Sequence, residues 1–118
     1  MTGAELIAAE RQRQIEVEGW TPDHDSDWED GQLGRAAEAY RLAATGMLAA
    51  STTKAWEVPP PIWPWERKWW KPSNDPVRNL TKAGALIAAE IDRIQRLKPP
   101  PGRLSRETGA TPETRLER

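Results

Sequence analysis

The bulkiest side chains of this chain are gathered into one short run, Trp63-Pro64-Trp65-Glu66-Arg67-Lys68-Trp69-Trp70-Lys71-Pro72. It holds four of the seven tryptophans, in a chain with no phenylalanine and one tyrosine. Any core must therefore draw these indoles inward or be built mainly from small aliphatic residues. The run lies between two alanine-rich segments with helical periodicity, so it reads as a long connection within a small helical bundle. Two uses for it stand side by side. The indoles can plug the seams of a bundle short of other large side chains. Alternatively, Trp63, Trp65, Trp69 and Trp70 form an aromatic platform beside Arg67, Lys68 and Lys71, because indole faces stack on bases and cations answer phosphate charge.

Residues Thr2 to about Glu18 read as a first helix. Thr2 and Glu5 have the spacing of a capping box, and Gly19 supplies a stop. Leu6, Ile7 and Ile15 give part of an apolar stripe. Glu10, Arg11, Gln14 and Glu18 lie near the same face at helical spacing. They are either a solvated edge with charge pairs or the polar wall of a pocket. In the second case Glu10 and Arg11 hold each other and Gln14 reads a ligand edge.

The loop that follows, Gly19 to Gly31, contains Trp20, the only histidine, His24, and five carboxylates. Its Asp-x-Asp-x-Asp pattern suits a hard cation, but an EF-hand needs a glycine and a distal glutamate that are not at the required positions. The simpler reading is that these acids cap and solubilise the start of the next helix.

A second helix is expected from Gly31 to about Ala50. Its small-residue face is Leu33, Ala36, Ala37, Tyr40, Ala44, Met47 and Leu48, which suits a central or inter-subunit position. Pro59-Pro60-Pro61 then favours extended backbone ahead of the tryptophan run. A connection this long is often functional. Asp75-Pro76 opens a third helix that runs to Leu97, with an acidic cap and proline in its first turn. Leu80, Gly84, Ile87, Ile91 and Ile94 form a clean stripe that reads as core. Arg78 and Lys82 are either solvated or pocket cations. Residues 1–97 thus form one helical domain, and 98–118 a polar tail with Leu104 and Leu116 as its apolar residues.

The totals restrict the classes. A chain of 118 residues is one small domain, able to bury only about two-thirds of its unfolded surface, so a homo-oligomer is expected. A formal net charge of −1 argues against a general nucleic-acid binder. Without cysteine there is no disulfide framework, thiolate ligand or thiol nucleophile. The chain lacks the apolar runs of a signal peptide or membrane span, and the expectation is a cytoplasmic protein.

Glu10-Arg11-x-Arg13-Gln14 in the first helix, the alanine-rich second, and Leu80-x-Lys82-Ala83-x-Ala85-Leu86-Ile87-Ala88-Ala89-Glu90-Ile91 in the third together resemble small phage-encoded MazG-like proteins. These belong to the all-α nucleotide pyrophosphohydrolases. Across residues 5 to 97 the resemblance implies an oligomeric helical bundle that binds a nucleotide between helices. The family's paired acids, Glu-x-x-Glu and Glu-x-x-Asp, hold Mg²⁺ against the phosphates, and that mark is missing. The second helix has Gln32, Arg35 and Glu38 near the expected positions, and the third has Asn79 and Lys82. Without Mg²⁺, pyrophosphate cleavage loses both charge neutralisation and water activation.

The first expectation is accordingly a non-catalytic binder without cofactor that sequesters a nucleotide immune signal, such as a cyclic oligonucleotide or a cyclic ADP-ribose derivative. Its ligand set comprises Glu10, Arg11, Gln14, Trp20, His24, Trp63, Trp65, Arg67, Lys68, Trp69, Trp70, Lys71, Arg78 and Lys82. A second is a divergent Mg²⁺-dependent pyrophosphohydrolase using Glu10, Asp25, Asp27, Glu38 or Glu90. A third is a protein-interaction module whose tryptophans form an interface hot spot.

Overall fold

A computed structural model describes residues 1–25, 28–49 and 54–97. The described residues are all-helical: α1 (Gly3–Glu16), α2 (Pro22–Asp25), α3 (Gln32–Leu48) and α4 (Pro76–Leu97). Short 3₁₀ turns at Ala55–Glu57 and Arg67–Trp69 punctuate the connection between α3 and α4. The tail after Leu97 lies outside the described residues.

The ends of the helices follow local chemistry. Thr2 and Glu5 form the capping box, with Thr2 Oγ1 accepting from the Glu5 amide and Glu5 Oε1 from the Thr2 amide. The chain leaves the α1 end through Gly19, whose φ of 74° few other residues adopt without strain. Asp75 Oδ1 accepts from the Val77 amide at 2.9 Å and starts α4. The stretch from Gly19 to Gly31, expected to be a loop, contains the short helix α2, and its acids do not cap α3. The N-cap there is Gly31 at φ 80°, with no side-chain cap, and Asp25 is turned inward instead.

The core is alanine against alanine. Ala36, Ala37, Ala39, Ala43 and Ala44 of α3 and Ala83, Ala85 and Ala89 of α4 are buried, with Leu33 and Leu86 as the large aliphatics among them. Small faces let the α3 and α4 backbones approach closely. The volume above the pair is filled by Tyr40 and by Trp70, which returns from the connection and is 7% exposed.

The aliphatic stripe of α4 is not core. Leu80, Ile87, Ile91 and Ile94 are between 44% and 50% exposed, and α4 turns its alanine side to α3. Both faces have helical periodicity, and only the alanine face matches the small surface that α3 offers. Likewise Met47 is only partly buried and Leu48 is exposed at the end of α3.

Asn79, fully buried on α4, pins the connection to that helix. Its Oδ1 accepts from the Ser73 amide at 2.8 Å, and its Nδ2 donates to the Ser73 carbonyl at 2.9 Å. Asn79→Ala removes both bonds at once, with an expected loss of about 1–3 kcal/mol in denaturant unfolding. A variant as stable as the parent contradicts this role.

Candidate functional site

A pocket of about 480 Å³ opens between α1, the segment around α2, the tryptophan connection and α4. This is within the usual size of small-ligand sites. Glu10, Arg13, Gln14 and Glu18 line it from α1, and Trp20, His24, Asp25 and Trp28 from the next segment. Leu33 and Tyr40 form its floor, with Leu86 and Lys82 from α4 and Trp63, Trp65, Trp69 and Lys71 from the connection.

The aromatic wall is a continuous set of ring contacts. Trp63 meets Trp65 edge-on at 5.2 Å, Trp65 tilts against Trp28 at 5.2 Å and Trp20 at 6.5 Å, and Trp63 meets Tyr40 edge-on at 5.6 Å. Trp20 and His24 lie with their ring planes 3° apart at 6.4 Å. Edge-to-face packing of this kind rigidifies the rings in one another's positions, so the wall is preformed.

The polar wall is organised by pairing. Glu10, buried at 2% exposure, accepts from Arg13 Nε at 2.8 Å and Nη2 at 2.9 Å, from Gln14 Nε2 at 3.1 Å, and from Arg78. Burial pushes the Glu10 carboxyl up, but bonds and charge from Arg13 and Arg78 outweigh it and hold the group below the usual carboxylate range. Arg11 Nη2 pairs with Asp25 Oδ2 at 2.7 Å, and its Nη1 donates to the Trp20 carbonyl at 3.2 Å. Glu10 and Arg11 therefore do not hold each other as the helical spacing suggested. Each reaches a different element because the two side chains diverge around the helix.

Lys71 and Lys82 form no ion pair with a carboxylate among the described residues. Lys82 Nζ donates to the Lys71 carbonyl at 2.6 Å and sits 5.4 Å from the centre of the Tyr40 ring. Burial, and then the charge of Arg78, lowers its pKa from the ordinary 10.5. Burial also pushes the Tyr40 hydroxyl up to about 12. Four buried atoms of pocket-lining side chains lack a hydrogen-bond partner among the described residues: Gln14 Oε1, His24 Nδ1, Asp25 Oδ1 and Trp65 Nε1. His24 Nδ1 is 3.6 Å from Asp25 Oδ1.

Of the residues expected from sequence, Glu10, Gln14, Trp20, His24, Trp63, Trp65, Trp69, Lys71 and Lys82 come together on this pocket. Arg11 and Arg78 stand behind the wall, bonded to Asp25 and Glu10. Trp70 is core: it stacks on Tyr40 at 4.7 Å and donates its indole N–H to the Trp56 carbonyl. Arg67 and Lys68 are exposed and do not line the pocket, and Lys68 pairs with Glu66 at 3.5 Å. The expected ligand set lacked Arg13, Glu18, Asp25, Trp28, Leu33, Tyr40 and Leu86, all of which line the pocket. Trp28 carried a signal, since an indole inside an acidic loop has to find cover.

Compared with known protein families, curated proteins and solved structures, the chain matches none.

No group of three or more histidine or carboxylate side chains is close enough to share an ion among the described residues. Glu10 and Asp25 are taken up by arginines, and Glu38 and Glu90 pair with Arg41 and Arg93 on their own helices. Asp27 lies outside the described residues.

Proposed function

We propose that the chain is a nucleotide-binding protein that holds its ligand without cleaving it. The observation that carries this reading is the combination, in one pocket, of indole walls, two lysines without carboxylate partners, and buried acceptors without donors. A nucleotide supplies what each lacks. Its base stacks against the indole wall, its N–H edge faces Gln14 Oε1 and Asp25 Oδ1, and its phosphate answers Lys71 and Lys82. Glu10, tied to Arg13 and Arg78, fixes the wall and does not touch the ligand's charge. The resemblance to phage MazG-like proteins supports a role in sequestering a nucleotide immune signal, such as a cyclic oligonucleotide or cyclic ADP-ribose derivative. The absence of the family's paired acids supports binding over pyrophosphate hydrolysis.

The test mixes the protein with nucleoside triphosphates, cyclic di- and trinucleotides and cyclic ADP-ribose isomers, with and without Mg²⁺. Free nucleotide is quantified before and after heat denaturation. The expected result is one ligand removed from solution and released intact. A shorter phosphate product formed only with Mg²⁺ overturns the reading in favour of hydrolysis, and no uptake of any nucleotide favours a protein partner.

For the captured ligand, Lys82→Met is expected to weaken binding about 10- to 100-fold, the worth of one charge-assisted hydrogen bond. Because Lys82 loses its proton below 10.5, affinity should fall as pH rises through that lowered value. The slope should vanish in Lys82→Met. Titration by tryptophan fluorescence at several pH values reads both effects.

A further inference from the structure

The outer face of α4 carries most of the large aliphatic side chains of the helix, and no other part of the described chain covers them fully. Val77, Leu80, Gly84, Ile87, Ile91 and Ile94 follow one another at alternating spacings of three and four. That is the a and d pattern of a coiled-coil seam. Val77 is 55% exposed, and the leucine and three isoleucines are about half exposed. The one gap in the seam, Gly84, is closed by Ile7 of α1, whose Cδ1 lies 2.5 Å from where a Gly84 Cβ would stand. The apolar strip is thereby continuous. No charged residue interrupts it, although 30% of the chain is charged. The flanking Glu90 is neutralised by Arg93 at 2.7 Å.

We infer that this strip is the contact between copies of the chain, packed strip to strip about a two-fold axis. The chain's own tail is a poor occupant, because Lys98 to Arg118 offers only Leu104 and Leu116 against a strip with five large aliphatic residues. A second α4 supplies a matching seam. A helix of 22 residues is about 33 Å long. Pairing along that length brings the exposed parts of five large aliphatic side chains from each copy, with the residues that flank them, into one contact whose centre is apolar. An isologous contact requires the same patch on both subunits, and a seam of one repeating spacing meets that condition. Isoleucine at both a and d positions also admits assemblies of more than two helices. Lys82 and Leu86, the α4 residues of the pocket, lie on the other side of the helix, so the contact leaves the pocket open.

Sedimentation equilibrium of the full chain at micromolar concentration tests this, with an Ile87→Glu/Ile91→Glu variant beside it. The parent should show at least twice the mass of one chain. The variant should be monomeric with unchanged helical circular dichroism, its association weakened at least 100-fold. A monomeric parent overturns the inference, as does a variant that still associates. In case the double variant fails to fold, Ile87→Cys gives a second reading, since the chain has no other cysteine. A short bismaleimide should couple two Ile87→Cys chains efficiently and two Leu42→Cys chains poorly, and equal coupling of both places the contact elsewhere.

Discussion

Trp70→Ala should cost about 3–5 kcal/mol, the range for truncating a buried large aromatic. On a domain of this size that lowers the melting temperature by on the order of 10–20 °C. The side chain is 7% exposed, stacks on Tyr40 at 4.7 Å and meets Trp63 edge-on at 5.0 Å. Its indole N–H is satisfied by the Trp56 carbonyl at 3.3 Å. Truncation leaves a void over α3 that the alanines around it are too small to fill. Its neighbour Trp69 is 56% exposed, and Trp69→Ala should change stability by no more than about 1 kcal/mol. Thermal unfolding of the two variants side by side checks the assignment. Equal losses would mean that adjacent indoles do not divide between core and pocket rim. Trp70→Ala should also disturb the pocket, because Trp63, which lines it, packs on Trp70.

Glu10→Ala is expected to cost about 2–4 kcal/mol, since it leaves two arginines and Gln14 without their common acceptor. Arg13 and Arg78 are each about a third exposed, and their rehydration keeps the loss below that of a fully buried pair. The pH dependence separates charge from packing. The Glu10 carboxyl is held below 4.5 in the folded state. Its contribution is therefore fully present above the unfolded value and is lost as pH falls through the lower folded one. Glu10→Gln keeps the shape and removes the charge, so it should be less stable than the parent at pH 7 and lose less on acidification. Some acid slope should remain from Glu5 and Glu38, held low by Thr2 and by Arg41. Denaturant unfolding between pH 7 and 3 measures this. Parallel curves for parent and Glu10→Gln would show that the Glu10 charge contributes nothing to folding.

The two variants act on different walls of the same cavity, one aromatic and one ionic. Both walls are built from side chains that touch each other before any ligand arrives, so loss of either should weaken binding through misplacement as well as through stability.

Much of this was written locally in the chain. The capping box of Thr2 and Glu5, the turn at Gly19, the Asp75-Pro76 start and the helical periods fixed three helices close to their observed bounds, because caps and periods act within a few residues. One of the two readings of the α1 face, a polar pocket wall, put Gln14 near the tryptophan connection, and both line the pocket. The direction of each side chain was not legible in the sequence. Glu10 chose Arg13 and Arg78 over Arg11, and Asp25 took Arg11 instead of capping α3, because ion pairs are decided by which elements meet in space. Trp70 and Trp69 are neighbours in sequence with opposite fates, since a 3₁₀ turn at Arg67–Trp69 points one down onto Tyr40 and leaves the other at the rim. The isoleucines of α4 had the right spacing for a core and lie outside it. Periodicity defines a face, and only the alanine surface of α3 determined which of two apolar faces it would accept.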